Sequence, residues 1–396
     1  MEKYINSKGK TLIGWDEILE GGLAPNAIVM SWRGEKGGIE AAKQKHEVIM
    51  TPTTYVYFDY SQTKNEDSVT IGRLHTAGKI YSYEPVPKEL TAEEGKYILG
   101  AQANVWTEYI KYPAKVDYMI FPRLTALSEV LWSPKWKRNW VDFGKRLQTQ
   151  FKRYDLWGAG YSKAYYDLKA NIFPADNNKG LLYSLEKTSA VGKIAFNTGA
   201  KQSYLLPYSQ PLLINSSKTI NATLLIDGKS NRWLNQAFSF NKATGKKIKL
   251  NTATVENYPG NGGAFGLVNG VVSKFALGST EWLGWLGSDM EAEIDLGTEQ
   301  SISKLSCHVA RYNGSRCYLP QYIEAYTSND GKNFNLAGKG SGYSEDKEGM
   351  GYMSVHFAPV SSRYVKVLAK NQGIIPEGRP SAGAKAMMFV DEVIIE

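Results

Sequence analysis

The chain is poor in the residues that announce chemistry at sight. Only two cysteines, Cys307 and Cys317, occur in 396 residues. They would suffice for one disulfide but not for a stapled framework, and their spacing fits no metal motif, so the redox compartment stays open. The four histidines, His46, His75, His308 and His356, are scattered without an H-x-x-x-H repeat, which leaves metal catalysis unsupported. G-x-S-x-G, G-x-x-x-x-G-K and a strand-linked G-x-G-x-x-G are absent, so nothing points to a nucleophile elbow, a P-loop or a dinucleotide fold. Apolar runs are short, and MEKYINSKGK at the N-terminus has neither a hydrophobic core nor a cleavage site, so no membrane span or targeting segment is expected. The formal net charge of +8 has no basic run behind it, and nucleic acid is not an expected partner.

What the chain does have is length, core-forming residues and aromatics. With 42% hydrophobic and 22% charged residues and a mean hydropathy of -0.36, it reads as globular, with material for two or three domains. Aromatic residues reach 12%, including 25 Tyr and 10 Trp, which suggests flat apolar surfaces for stacking as well as core. As far as about Gly160, short apolar runs alternate with helical stretches. TLIGWDEI, AIVMSW, EVIMTP and ILGAQANVW read as buried strands, with EKGGIEAAKQK, TAEEGKY and PAKVDYMIFPRLTALSEVLW as helices between and after them. A last helix, starting at Ser133 or Asp142, closes this region. The alternation implies parallel strands in an α/β layer or barrel. Beyond it the texture changes to turns and alternating β-type runs such as EAEIDLG, YIEAYTSNDGKNF, MSVHFAP and RYVKVLAK, the pattern of an all-β sandwich or barrel.

Four predicted strand ends carry aromatics or carboxylates: Trp15-Asp16-Glu17, Trp32-Arg33, Tyr57-Phe58-Asp59 and Trp106-Thr107-Glu108. In a parallel β/α architecture such ends share one face, so these side chains converge on one pocket. Trp15, Trp32 and Trp106 would present flat walls to a sugar ring, and Asp59 and Glu108 would accept hydrogen bonds from its hydroxyls. Tyr57 and Asp59 are two apart and point the same way in an extended segment, as do Trp106 and Glu108. The competing reading makes each Trp a core plug. Asp16 and Glu17 are adjacent and would face opposite ways, so helix capping or a salt bridge is the expected role there.

In this order, IGWDEILEGG, VMSWRG, TPTTYVYFDYSQ, ILGAQANVWTEYI and FPRLTALSEVLW make residues 1–163 resemble the C-terminal half of the catalytic barrel of family 20 glycoside hydrolases, the β-N-acetylhexosaminidases, as Bacteroides-type bacteria carry it. The resemblance implies a partial (β/α)8 TIM barrel and exo-hydrolysis of terminal N-acetylglucosamine or N-acetylgalactosamine. The family's mechanism is retaining and substrate-assisted: the acetamide oxygen attacks the anomeric carbon. Carried over by position, Trp15, Trp32 and Trp106 would wall the terminal sugar, Tyr57 would orient the acetamide oxygen, and Asp59 and Glu108 would hold ring hydroxyls. Tyr81 or Tyr83 would add a wall. The family's acid and acetamide-polarising carboxylate form an Asp-Glu pair in H-x-G-G-D-E, and this sequence has no such motif. The chain therefore reads as beginning mid-barrel at an internal Met, with little or no hydrolase activity of its own. Open edges of the incomplete barrel would favour self-association. The chain gives no localisation, although the family is usually periplasmic or secreted.

Residues 176–246 look like the small β domain that follows the barrel in many such enzymes. Residues 247–396 resemble a discoidin-like (coagulation factor 5/8 type C) carbohydrate-binding domain, an eight-stranded jelly roll, through GLVNGVVSKF, WLGWLGSDMEAEIDLG, SSRYVKVLAKN and FVDEVIIE. These modules often hold a structural calcium, and Asn269, Ser273 and Glu392 sit at the matching places, with Asn269 where the family has Asp. No catalytic cofactor is implied. Trp282 and Trp285 are expected in the core, and Arg311, Tyr312 and Asn313 in a sugar-facing loop. The expected partners are N-acetylhexosamine-containing glycans. The alternative is a non-catalytic glycan-binding protein that uses the discoidin-like domain.

Overall fold

The computed structural model describes residues 1–63, 73–199, 204–274, 279–345 and 347–396, so Phe275, which ends the GLVNGVVSKF segment, and residues 200–203 lie outside the described residues. The chain divides into two compact units. The first comprises residues 1–169 with 187–193 and 223–233, and the second residues 170–186, 194–222 and 234–396.

In the first unit a short helix α1 (Glu2–Ser7) precedes four strands: β1 (Ile13–Trp15), β2 (Ile28–Ser31), β3 (Val48–Met50) and β4 (Ile98–Ala101). They pair in sequential order and all run parallel. That order is the one a barrel wall uses, whereas doubly wound sheets reverse at a switch point. Helix α2 (Lys36–Lys43) covers one face. Its buried Gly38, Ala41 and Ala42 are small enough to let the helix approach Val29, Val48 and Met50, all buried. A Cβ at Gly38 would lie 2.5 Å from the Met50 sulfur. Ser31 fastens the contact, because its Oγ accepts from the Gly38 N–H at 2.8 Å. The opposite face carries Ile13, Ile28, Met30 and Ile49, and Leu99 sits at a register shift in β4. Ile13 is 47% and Leu99 54% exposed, on the two edge strands.

The predicted strands all form, and the helices differ in detail. The run expected as one helix over PAKVDYMIFPRLTALSEVLW is two, α4 (Pro113–Ile120) and α5 (Arg123–Trp132), because Pro122 has no N–H to carry a helix past Phe121. TAEEGKY makes only a 3-10 turn, Glu94–Tyr97, whose reciprocal Thr91–Glu94 capping bonds begin a helix that the return to β4 cuts short. The last helix, α6 (Trp140–Trp157), starts at neither Ser133 nor Asp142. Asn139 caps it by accepting from the Asp142 N–H, and Gly158 ends it at φ 66°. A small helix, α3 (Ala77–Tyr81), packs beside α5.

In the second unit eight strands form one hydrogen-bonded sheet around a buried core that includes Trp285, Met290, Val309, Met353, Val367 and Ile395. The long strand Met290–Arg311 lies between Gly349–Ala369 and Met387–Ile395. MSVHFAP and RYVKVLAK, expected as separate runs, are one continuous strand, Gly349–Ala369. Trp282 and Trp285 are buried, as expected. Cys307 and Cys317 are free thiols in different core clusters, so the disulfide that their number would allow does not form, and burial pushes both up to about 12. Between residues 168 and 238 lie further short strands, including Leu181–Lys187 and Lys218–Ile226. Among the described residues no helix is long and apolar enough to cross a membrane.

Candidate functional site

The C-terminal ends of β1 to β4 open into a cavity of about 360 Å³ lined by Trp15, Glu17, Trp32, Tyr57, Asp59, Tyr60, Trp106 and Glu108. Trp15 ends β1, Trp32 follows β2, Tyr57–Tyr60 turn after β3, and Trp106 and Glu108 follow β4. The structure thus brings together all six residues singled out at strand ends. Trp106 is the hub. Its ring lies 6.0 Å from Trp15 and 6.5 Å from Tyr57, tilted 45° to each. Half of Trp106 remains exposed, leaving an aromatic surface free to be covered.

Asp59 is the anomaly of the site. It is 6% exposed, and its Oδ1 has no hydrogen-bond partner among the described residues. Burial raises its pKa, and the Glu108 charge adds to the effect. The backbone N–H groups of Asp59 and Trp106 and the Arg123 charge oppose it. Burial likewise raises the Tyr57 phenol, although the neighbouring Trp106 and Asn104 side chains pull the other way, so Tyr57 remains a neutral O–H donor near pH 7.

A buried scaffold holds this turn. Arg123, fully buried on α5, donates to the carbonyl oxygens of Tyr60 at 2.8 Å, Met119 at 3.1 Å and His75 at 3.3 Å, and also to that of Phe58. His75, lowered to about 3 chiefly by burial, is neutral. Its Nδ1 lies 3.2 Å from the Tyr57 carbonyl oxygen, so that nitrogen carries the proton and donates it. Together these bonds fix the backbone of residues 57–60 from behind.

One lining residue, Tyr60, escaped the sequence reading, and a second, Glu17, lines the rim where helix capping or a salt bridge is the expected role. Residues 57–60 form a turn, so strict alternation fails there and Tyr60 joins Tyr57, 5.7 Å away, on the cavity. Asp16–Gly21 is a 3-10 turn. Asp16 folds inward and pairs with Arg33, matching the salt-bridge expectation, while Glu17 reaches the cavity rim and accepts from the Trp32 indole N–H. Tyr81 and Tyr83 do not line the cavity. Tyr81, at the end of α3, donates to Glu129 on α5 at 2.7 Å, and Tyr83 is buried against Tyr55 in the turn after β3.

In the second unit the loop that carries Asn269 and Ser273 lies against Asp391 and Glu392. Gly270 N–H donates to Glu392 Oε1 at 3.2 Å, Ser273 N–H to Asp391 Oδ2 at 2.6 Å, and Val271 N–H to Asn269 Oδ1 at 2.7 Å. Glu392 is 1% exposed, and its Oε2 has no partner among the described residues. Burial first, then the Asp391 charge, pushes Glu392 well above the usual carboxylate range. Asp391 is also raised by burial, against its 2.7 Å bond to His308 Nδ1. A buried carboxylate oxygen without a donor, beside a second carboxylate, suits a hard cation. Asn269 contributes no charge, and its Oδ1 is already engaged. Among the described residues no three His, Cys, Asp or Glu side chains are grouped to hold a metal. Arg311 lies over the Tyr343 ring, and the Asn313 N–H donates to Glu348. A wider groove of about 770 Å³ is lined by Ser306, Ser344, Tyr352 and Ser354 beside the Lys304–Glu396 ion pair. No carboxylates and tryptophans converge there.

Comparison with known proteins bears on the first unit. The model of "Glycosyl hydrolase family 20, catalytic domain" matches residues 1–135. A beta-hexosaminidase of Porphyromonas gingivalis is 40% identical over 223 residues, covering 55% of this chain and 27% of that protein. A beta-hexosaminidase of Vibrio furnissii is 34% identical over 133 residues, covering 32% of this chain and 21% of that one. A beta-N-acetylhexosaminidase of Cellulomonas fimi is 30% identical over 168 residues, covering 39% and 32%. Among solved structures, the family 20 exo beta-N-acetylglucosaminidase of Vibrio harveyi in complex with N-acetylglucosamine aligns with a TM-score of 0.39 and 34% identity over 41% of this chain and 26% of that one. The chain therefore spans at most about a third of the length of these relatives, and residues 1–135 are the part that is similar to the glycosyl hydrolase family 20 catalytic domain.

Proposed function

We propose that the strand-end cavity holds the terminal N-acetylhexosamine of a glycan, as the sugar-binding wall of a β-N-acetylhexosaminidase built on part of a (β/α)8 barrel. The observation that carries this reading is Asp59. A carboxylate buried to this degree with one oxygen unpartnered is costly unless a ligand supplies the donor, and the cavity beside it is walled by Trp15, Trp32 and Trp106. Sugar hydroxyls provide such donors, and the apolar faces of the ring suit the indoles. Tyr57, kept neutral, would donate to the acetamide oxygen and hold it near the anomeric carbon, which is a positioning effect. Glu108 would accept from an outer hydroxyl.

The retaining, substrate-assisted reaction also needs an acid for the leaving oxygen and a carboxylate for the acetamide nitrogen, and no H-x-G-G-D-E motif occurs in these 396 residues. The 396-residue chain on its own is therefore read as binding the sugar without appreciable turnover. Calorimetric titration with N-acetylglucosamine tests the binding. Heat that disappears in D59A and W106A is expected, and no binding by the wild type overturns the reading. A chromogenic N-acetylglucosaminide tests the second part. Turnover near that of a full-length relative would overturn it and make Glu17 the candidate acid.

Three subsidiary readings rest on narrower observations. The half-exposed Ile13 and Leu99 on the edge strands support self-association through the open sheet, which light scattering tests; a monodisperse monomer would refute it. The buried Glu392 supports a structural calcium in which Glu392 is the charged ligand, with Asn269 and Ser273 beside it. Residues 247–396 are read as the discoidin-like module and residues 176–246 as the small β domain, on the sequence segments quoted above.

A further inference from the structure

Trp32 differs from the other two tryptophans of the cavity in what holds it. Trp15 and Trp106 brace one another, and Trp106 also meets Tyr57. Among the described residues Trp32 has no ring partner. It is held by two consecutive residues of the turn that follows β1. Its backbone N–H donates to Asp16 Oδ2 at 3.0 Å, and its indole Nε1 lies 3.1 and 3.0 Å from Glu17 Oε1 and Oε2. An indole has a single N–H, and here a carboxylate accepts it, which makes the bond charge-assisted and directional. Rotating the ring about its side-chain torsions breaks that bond, whereas movement of the backbone breaks the bond to Asp16. The Trp32 bond also lowers the Glu17 pKa, so the carboxylate is ionised near neutral pH.

We infer that Glu17 is a positioning residue: its carboxylate fixes the orientation of the Trp32 indole and so sets that wall of the cavity. Its value to ligand binding rests on the sugar reading above, whereas its hold on Trp32 does not. The inference also explains why a carboxylate stands at the rim of an aromatic pocket without being needed for contact with the ring hydroxyls, which Asp59 and Glu108 serve.

The test uses the 15N-labelled 396-residue chain, with the Trp32 indole N–H resonance assigned by its loss in W32F. In E17A this resonance should move upfield by several tenths of a ppm, with the Trp15 and Trp106 resonances in place. In E17Q it should move less, because an amide oxygen still accepts. Affinity for N-acetylglucosamine should fall roughly threefold to tenfold in E17A and less in E17Q. A Trp32 resonance that stays put in E17A overturns the inference, and it does so even if affinity falls, because Glu17 would then act by touching the sugar. Should wild type bind no N-acetylglucosamine, the sugar reading fails, and the indole shift still decides whether Glu17 positions Trp32.

Discussion

Asp16 engages Arg33 twice: its Oδ1 accepts from Arg33 Nε at 2.6 Å, and its Oδ2 accepts the Arg33 backbone N–H at 3.2 Å. The same Oδ2 takes the Trp32 N–H, so one buried carboxylate closes the turn after β2. Replacing it with Ala leaves two backbone donors without their acceptor and should cost about 2 kcal/mol. R33A should cost less than this, because the guanidinium is 45% exposed and solvent screens the pair. Denaturant midpoints followed by tryptophan fluorescence would show the order, and equal costs would refute it.

On the sugar-binding reading, Asp59 costs stability that ligand binding would offset. Its folded pKa is raised by burial, so its contribution to stability is greatest below the unfolded value and is lost as pH rises through the folded one. D59N should therefore match wild type near pH 3 and equal or exceed it by up to about 1 kcal/mol at pH 7. The same variant should lose N-acetylglucosamine affinity by about tenfold or more. Thermal melts at the two pH values together with calorimetry check both halves; a D59N that is less stable at pH 7 would contradict the account.

Arg123 should be among the most sensitive positions of the first unit. Its guanidinium serves four carbonyl oxygens from three segments of chain, a reach that a lysine ammonium does not reproduce. R123M should cost about 3 kcal/mol or more, and R123K should recover only part of it. Urea unfolding measures this, and a cost below about 1 kcal/mol would mean the turn at Tyr57–Tyr60 holds itself.

Glu392 and Asp391 give the second unit its own pH signature. Both folded pKa values are raised, so the unit should be most stable at mildly acid pH and lose stability as pH rises toward neutrality in the presence of chelator. Millimolar calcium should restore it by binding linkage, and E392Q should abolish the calcium effect and leave only the Asp391 part of the pH effect. A calcium response that persists in E392Q would place the ion elsewhere.

The strands of the first unit were legible because each is a short apolar run ended by a polar or aromatic residue, and parallel burial on both faces needs such runs. The convergence of Trp15, Trp32, Tyr57, Asp59, Trp106 and Glu108 followed from one rule about strand ends. Tyr60 was not legible, and Glu17 was expected in a cap or ion pair instead of at the rim, because both sit in tight turns, where side-chain direction depends on local dihedrals that alternation does not describe. Arg123 was hidden for another reason. A buried guanidinium bound to carbonyls is set by tertiary contacts 48 to 65 residues away along the chain, and nothing local distinguishes it from a surface arginine. Tyr81 and Tyr83 illustrate the reverse error, since position in the resemblance put one of them at the cavity while Tyr81 bonds Glu129 and Tyr83 packs on Tyr55.

The serine before Trp32 is also the anchor of α2, through the bond from the Gly38 N–H to Ser31 Oγ. Helix and cavity wall thus hang from one peg. Since close-packed interiors pass displacement on instead of absorbing it, a methyl group added at Gly38, which does not line the cavity, would push α2 off Met50 and tug Ser31 with it. The spacing between a helix and the face of a sheet is in this way also the calibration of the cavity at the strand ends.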